Sequence, residues 1–345
     1  MGGRWVRVAA GVAVVVVLAV VVWLGRAELP ATWRALGQAR RDWLLAGGVL
    51  LVLWWASWLL THLACRRVTG VGGYHEVLTL TPVTLAAVAL NLVVKSGGLA
   101  GLAVFAADAR RRRLTTGGVT GAYLVATLMQ EVAFVVVLLA STAVVVADAR
   151  ITKVEVAAVV VFLVTTALRV AALVAAARSR ELVERLWTLP ARVVDRLLRR
   201  PARTHDTTAA DELFEAMQLL RRDYRDAVPA LGFALGIDVF GAAMLWASLA
   251  AVGGGDRPVV ALVAYSISAV FGILGFLPGG LGFVEVGAVA VVASFGVPVG
   301  VSAAAVIVFR VYEYWLPVLV GLVLSWLLAR RWGRVSGSDR QRARR

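Results

Sequence analysis

The stretch Leu277-Pro278-Gly279-Gly280-Leu281-Gly282 has a counterpart earlier in the chain, Lys95-Ser96-Gly97-Gly98-Leu99-Ala100-Gly101. In both copies a glutamate follows the first glycine of the pair by 34 residues: Glu131 (97 to 131) and Glu313 (279 to 313). Each glutamate lies near the middle of a long apolar run. A carboxylate buried in a membrane costs about 3 kcal/mol unless it is paired, protonated or hydrated. Two matching glycine–glutamate units are therefore typical of a transporter built from related halves.

The composition is that of a polytopic membrane protein. Of the 345 residues, 60% are hydrophobic and 17% are charged, whereas a soluble domain carries about 25% charged residues. The mean hydropathy is +0.82, and several apolar stretches reach the roughly 20 residues that a helix needs to cross a bilayer. We expect an all-α polytopic membrane protein with about eight transmembrane helices. The predicted spans lie at residues 5–24, 43–64, 76–94, 117–147, 154–177, 228–252, 258–277 and 299–329, and two shorter apolar pieces at 97–108 and 280–296 begin at the glycine pairs.

The basic residues predict the orientation. If the N-terminus is cytoplasmic, 26 Lys and Arg residues fall on the cytoplasmic side and seven fall outside. This asymmetry follows the positive-inside rule, so we expect a multi-pass protein of the cell membrane with both termini in the cytoplasm. The net charge of +15 is accordingly assigned to anionic lipid headgroups, and no nucleic acid partner is expected.

The same orientation predicts that the two halves are inverted. The first glycine hairpin returns to the cytoplasm at Arg110-Arg111-Arg112-Arg113, whereas the matching stretch 294–298 carries no charge and faces outside. Inverted repeats with broken helices are the usual architecture of alternating-access carriers. A chance match of glycine pairs and glutamates in a glycine-rich chain is the alternative.

These considerations divide the chain into five parts. The segment 178–227 combines leucines at helical spacing with many arginines, so it is either an amphipathic linker on the inner membrane surface or a plain connection between the halves. The predicted parts are N-terminal transmembrane helices (1–70), a first repeat (71–177) with a re-entrant hairpin near 95–108, the cytoplasmic linker (178–227), a second repeat (228–330) with a hairpin near 277–296, and a basic cytoplasmic tail (331–345).

No signature of an enzyme or a metal site is present in the sequence. There is no G-x-x-x-x-G-K phosphate loop, no G-x-S-x-G elbow and no H-E-x-x-H helix. The single cysteine, Cys65, excludes an internal disulfide, and the three histidines are scattered without metal-ligand spacing. We therefore expect no catalytic residues, no metal and no cofactor.

The glycine pairs predict part of a binding site. Glycine lets the backbone turn tightly, and helix N-termini that begin after the pairs would point N–H groups into the protein. That arrangement suits an anionic group such as a lipid phosphate, although small residues also serve to pack helices closely. The candidate binding residues from these loops are Gly97, Gly98, Pro278, Gly279, Gly280 and Gly282.

Charged residues inside the spans complete the predicted site. Arg310 and Glu313 lie three residues apart, on one helix face. Arg310 either binds a phosphate through its planar guanidinium or pairs with Glu313, Glu131 or Glu285. Glu131 and Glu313 either exchange protons, because burial disfavours a charged carboxylate, or form structural ion pairs. Glu285 is placed to close the second hairpin against Arg310, and Asp238 is a further acid within a span, without an obvious partner.

Residues 275–285, Gly-Phe-Leu-Pro-Gly-Gly-Leu-Gly-Phe-Val-Glu, and the later Arg310 resemble the transmembrane region of lysylphosphatidylglycerol synthases, a flippase-like family. The resemblance covers roughly residues 35–330 and implies a protein that moves or binds lipids or lipid-linked sugars. The motif residues that it carries over are Pro278, Gly279, Gly280, Gly282, Glu285 and Arg310, with Glu131 as a softer match.

Two departures from the family pattern limit what the resemblance implies. The family tends to have proline before its first glycine, where this chain has Ser96. The synthases also continue into a soluble domain that aminoacylates the lipid, whereas this chain ends 16 residues after its last predicted span (329 to 345). An aminoacyl-transfer activity is therefore not expected.

The leading hypothesis is a translocase for a phospholipid or a polyprenyl-phosphate-linked lipid, with an anionic headgroup at a central site. The stretch Arg330–Arg345, with seven arginines and one aspartate, is expected to bind anionic lipids of the inner leaflet. One alternative is a non-catalytic assembly or regulatory subunit of a membrane complex. Another is a glycosyltransferase that uses a lipid-phosphate sugar, which the short outer loops disfavour. The oligomeric state is left open.

Overall fold

A computed structural model of the chain describes residues 29–94, 96–147, 224–274 and 278–327, together with scattered residues between 160 and 218. Every secondary-structure element in these ranges is helical, which confirms the predicted all-α class. The helices are α1 (Leu29–Gly37), α2 (Arg41–Val68), α3 (Val77–Val93), α4 (Leu99–Arg112), α5 (Thr116–Ala147), α6 (Val228–Ala251), α7 (Pro258–Leu274), α8 (Phe283–Ser294) and α9 (Val299–Leu327). Short 3₁₀ turns lie at Tyr74–Glu76, Tyr224–Ala227 and Pro278–Gly280.

Five helices in the described ranges are long and apolar enough to cross a membrane: Arg41–Val68, Tyr74–Val93, Thr116–Val145, Val228–Ala251 and Val299–Leu327. They confirm five of the predicted spans. Of the span predicted at 258–277, residues 258–274 form the apolar helix α7 and residues 275–277 lie outside the described residues, while α8 has 12 residues. The spans predicted at 5–24 and 154–177 lie wholly or largely outside the described residues, as do the linker at 178–227 and the tail at 331–345.

Both glycine pairs interrupt helices, as predicted. Before α4 the backbone reaches φ values of 63° at Gly97 and 90° at Gly98, and before α8 it reaches 60° at Gly279 and 85° at Gly282. This left-handed conformation costs a residue with a Cβ atom about 1 kcal/mol or more, but glycine adopts it freely. The glycines therefore permit the turns from which α4 and α8 start. The two helices joined by each loop also pack together: α3 with α4, and α7 with α8.

Small residues let the central helices approach closely. Helix α6 packs along α2 and also contacts α5, α7 and α9. A Cβ atom at Gly236 of α6 would lie 2.8 Å from the Ser57 hydroxyl of α2, and one at Gly321 of α9 would lie 2.1 Å from the Ala89 Cβ of α3. Close backbone approach at small residues is a usual way to hold helices together in lipid.

The outer faces of the long helices remain apolar. Exposed large side chains recur every three or four residues, so they form a stripe along one side of a helix. Such a stripe fits contact with lipid tails, because no polar group there needs a partner. Examples on α2 and α9 are Leu45, Val49, Val52, Leu319, Leu322, Val323 and Trp326.

A buried ion network ties three helix ends together. Arg66, in the last turn of α2, is 2% exposed and donates to both carboxylate oxygens of Glu76, at 3.0 and 3.1 Å. Arg112, at the end of α4, lies 3.4 Å from Glu76 and 2.8 Å from Asp108. The network fixes the start of α3 against the ends of α2 and α4. Asn91 lies near the other end of α3, beside the first glycine loop.

Candidate functional site

A cavity of about 390 Å³ lies among the membrane-spanning helices and is called the central cavity below. Its walls come from α2, α3, α5, α6, α7 and α9, with Gly279 of the second glycine loop and Val284 of α8. Aromatic and aliphatic side chains form much of the surface. The polar side chains that line it are Asn91, Thr127, Gln130, Glu131, Asp238, Tyr265, Ser268, Arg310 and Glu313.

Arg310 is the organising residue of one wall. It is 3% exposed. Its Nε donates to Glu285 Oε1 at 2.7 Å, its Nη1 donates to Glu313 Oε2, and its Nη2 donates to the carbonyl oxygen of Gly279 at 2.8 Å. The guanidinium carbon also lies 4.6 Å from the ring centre of Tyr314. The expected pairing of Arg310 with Glu285 and Glu313 is therefore present, and its positive charge is balanced by two carboxylates.

Local sequence explains why these groups meet. Glu285 is in the first turn of α8, where it also accepts a hydrogen bond of 2.7 Å from the backbone N–H of Gly282. A carboxylate is favourable at a helix N-terminus, which carries a partial positive charge. The same side chain thus stabilises the start of α8 and holds Arg310. Gly279 is required beside them, because a Cβ atom there would lie 2.0 Å from the ring of Tyr314.

A π-helical turn, Val311–Trp315, interrupts α9 directly after Arg310. Single π turns inside α-helices occur frequently at functional sites. Here the turn contains both Glu313 and Tyr314, and both side chains contact the guanidinium of Arg310. Residue spacing alone predicted that Arg310 and Glu313 share a face, but it gave no signal for the π turn.

Hydrogen bonds of Asn91 and Tyr123, together called the clasp below, hold the first glycine loop. The Tyr123 hydroxyl of α5 donates to the Gly98 carbonyl at 2.8 Å and accepts from the Asn91 amide at 2.9 Å. The side-chain Oδ1 of Asn91 in turn accepts a hydrogen bond of 2.7 Å from the backbone N–H of Gly101. Asn91 lines the central cavity, whereas Gly97 and Gly98 do not. Sequence reasoning missed Asn91 and Tyr123, although an asparagine within an apolar span was an available signal.

Asp238 has a partner that the sequence did not indicate. Its side chain is 7% exposed, and its Oδ1 accepts a hydrogen bond of 3.1 Å from the Tyr265 hydroxyl of α7. The expectation that Asp238 lacks an obvious partner is therefore wrong. The two residues come from neighbouring helices, whose relative rotation cannot be deduced from the order of residues.

The structure brings only part of the predicted residue set to the cavity. Glu131, Gly279, Arg310 and Glu313 line it, although Glu131 and Glu313 belong to different glycine–glutamate units. Glu285 is one hydrogen bond away, through Arg310. Gly280 and Gly282 shape the loop behind the wall, and Pro278 begins its 3₁₀ turn. Within the described ranges, the acids, histidines and cysteine form no group that would hold a metal ion.

The comparison with protein families fits this arrangement. The family described as Lysylphosphatidylglycerol synthase TM region matches residues 8–321, which include every residue of the central cavity. The chain belongs to this family. The match confirms the resemblance seen in the Pro-Gly-Gly-Leu-Gly stretch and begins earlier than the predicted residue 35. A comparison with individually curated proteins gives no match. As a lysylphosphatidylglycerol synthase TM-region protein, the chain is a multi-pass membrane protein.

Proposed function

We propose that this protein is a flippase-like translocase, which carries the headgroup of a lipid or a lipid-linked saccharide across the membrane through the central cavity. The observation that carries the proposal is the meeting of both glycine–glutamate units there: Glu131 from one, and Glu313 with its arginine from the other, line one cavity between membrane-spanning helices. Ionisable residues inside a membrane protein usually mark a substrate or ion pathway.

The order of elements supports a repeat. A helix, a glycine loop, a short helix and a long helix bearing the glutamate follow one another twice, as α3–α4–α5 and as α7–α8–α9. We propose that these halves are inverted relative to one another, as the distribution of basic residues predicts. Inverted halves that rock about a central site would open the cavity alternately to each side of the membrane.

Arg310 is proposed to meet the lipid phosphate during transport. In the described conformation each of its three nitrogens donates a hydrogen bond, to Glu285, Glu313 and Gly279. A phosphate that binds the guanidinium through two parallel hydrogen bonds would displace a carboxylate, and Glu313, which lines the cavity, is the one in its path. Such an exchange would leave Glu313 to take up a proton or a new partner, which links substrate binding to the charge state of the site.

The proposal is tested by leaflet exchange in proteoliposomes. The full-length protein is reconstituted with a fluorescent anionic phospholipid. The fraction of label whose fluorescence an impermeant quencher removes is followed with time. We expect faster exchange than in protein-free vesicles, and loss of that exchange in Arg310→Met. Arg40→Ala is the matched control, because Arg40 forms an exposed ion pair with Asp42 and neither residue lines the cavity. Exchange at the protein-free rate, together with a stable copurifying partner protein, would favour the assembly-subunit alternative.

A further inference from the structure

Two N–H groups in the wall of the central cavity lack a hydrogen-bond partner among the described residues. They are the indole Nε1 of Trp58, on α2, and the amide Nε2 of Gln130, on α5. Both atoms are buried. Native proteins leave few buried polar groups unpaired, and each exception needs a physical explanation. A ligand that brings hydrogen-bond acceptors into the cavity supplies one, because both side chains line it.

Another wall of the same cavity offers an acceptor. Asp238 is buried and accepts a hydrogen bond from the neutral hydroxyl of Tyr265. It forms no salt bridge among the described residues. Arg310, which lines the same cavity, pairs with Glu285 and Glu313 instead. An ionised or neutral carboxyl group retains capacity to accept further hydrogen bonds. The cavity thus combines donors on α2 and α5 with an acceptor on α6.

This combination selects among the groups that a lipid carries beyond its phosphate. A second anionic group would meet the carboxylate of Asp238, which forms no salt bridge among the described residues, so repulsion disfavours it. An ammonium group could pair with Asp238, but it has three donors and no acceptor, so it leaves the N–H groups of Trp58 and Gln130 unpaired. A hydroxyl group donates and accepts, and it therefore satisfies both walls.

We propose that the central cavity recognises a neutral, polyhydroxylated ring attached to the lipid phosphate, through Trp58, Gln130 and Asp238. The inference rests on the proposed translocase and names the substrate class of its site. The apolar walls fit such a ring, because ligand sites combine mostly apolar surface with a few placed polar groups. Aromatic side chains, including Trp58 and Phe134, provide that surface here.

Binding is tested with three lipids that share acyl chains and phosphate and differ only beyond it. Phosphatidylinositol carries a polyhydroxylated ring, phosphatidylethanolamine carries an ammonium group, and phosphatidylmethanol, also a phosphodiester, carries only a methyl group. The purified full-length protein in detergent is titrated with each, and the bound fraction is measured by native mass spectrometry. We expect phosphatidylinositol to be retained about fivefold more strongly than either of the others for each hydrogen bond gained.

Variants assign the preference to the named residues. Trp58→Phe and Gln130→Met keep the bulk of the side chains and remove the N–H donors. Each should reduce the preference for phosphatidylinositol about fivefold. Trp55→Phe is the matched control, because the Trp55 Nε1 is likewise buried and unpartnered among the described residues, but Trp55 does not line the cavity. Its preference should equal that of the wild type. Elution as a single monodisperse peak confirms the fold of each variant.

The outcomes separate this inference from the proposed function. Equal retention of the three lipids, or a preference that survives in both Trp58→Phe and Gln130→Met, overturns the inference. Leaflet exchange in proteoliposomes that does not distinguish the three lipids overturns it as well and leaves the translocase standing. Selective retention of phosphatidylinositol without any leaflet exchange supports the binding site and rejects the translocase.

Discussion

The Nη2 atom of Arg310 donates a hydrogen bond of 2.8 Å to the carbonyl oxygen of Gly279, 31 residues earlier in the chain. This contact joins the second glycine loop to the long helix that carries Glu313. It requires the loop backbone to pass directly beside α9, where the ring of Tyr314 fills the space next to Gly279. Glycine is needed at this position for its conformation and for its lack of a side chain.

Gly279→Ala should therefore destabilise the protein strongly. The φ of 60° is unfavourable for alanine, and the added Cβ atom would lie 2.0 Å from the Tyr314 ring. Together, backbone strain and overpacking should cost about 3 kcal/mol. Thermal unfolding in detergent, followed by circular dichroism, measures the loss.

Gly97→Ala separates the two causes. Gly97 has a similar φ of 63°, but nothing lies within 4 Å of an added Cβ atom. Gly97→Ala should therefore lower the free energy of unfolding only by the backbone strain, about 1 kcal/mol. Gly232→Ala, at an open position inside α6, should be neutral or stabilising. Equal losses at Gly97 and Gly279 would contradict the contact with Tyr314.

Arg310→Ala should lower the free energy of unfolding more than the removal of an exposed arginine does. The substitution leaves Glu285 and Glu313 without their shared cation, and breaking a buried ion pair costs about 3–5 kcal/mol. Arg40→Ala is the control: both partners of the Arg40–Asp42 pair are more than half exposed, so its loss should cost at most about 1 kcal/mol. The midpoints of thermal unfolding in detergent compare the two variants.

Removing the carboxylates together with the arginine should restore much of that stability. In the triple variant Arg310→Met, Glu285→Gln, Glu313→Gln no buried charge is left unpaired, and uncharged replacements of buried ion pairs are often neutral. We expect its unfolding midpoint to lie well above that of Arg310→Ala. A triple variant as unstable as Arg310→Ala would mean that the charges do not compensate one another.

The clasp of the first glycine loop predicts coupling between Asn91 and Tyr123. Each side chain holds the other in place, through the 2.9 Å bond between the amide and the hydroxyl. In a double-mutant cycle, the free energy of unfolding lost by the double variant Asn91→Ala, Tyr123→Phe should be about 1 kcal/mol smaller than the sum of the two single losses. Tyr312→Phe removes a hydroxyl that bonds to the Leu44 carbonyl instead, so its effect should add to that of Asn91→Ala. Additivity in both cycles would argue against the clasp.

The parts of this fold that were predictable depend on composition and local spacing. Five long spans and both helix breaks follow from apolar runs and glycine pairs, because a helix in lipid needs length and a residue that permits positive φ ends it. The closure of Glu285 on Arg310 was also expected, because the glycine loop brings α8 back beside the following helix.

What could not be predicted depends on how the helices are rotated against one another. The contact between Asp238 and Tyr265 needs one particular face of α6 to meet one face of α7, and hydrophobic patterns are weak guides where both faces are apolar. The two glycine loops also proved to be held differently, by Arg310 in one and by Tyr123 in the other. A search for matching residues in both halves could not find Tyr123, because the position with the same offset from the glutamate, Ala305, has no hydroxyl.

The predicted inversion of the halves is decided by the sides on which the two short helices end. Arg110, near the end of α4, and Ser294, at the end of α8, are both exposed. The sole cysteine, Cys65, is fully buried, so Cys65→Ala provides a silent background for labelling. In intact cells, an impermeant maleimide should label Ser294→Cys, whereas Arg110→Cys should react only after permeabilisation, as the positive-inside rule requires. Labelling of both from the same side would rule out inverted halves, and labelling of Arg110→Cys alone would reverse the orientation and keep the inversion.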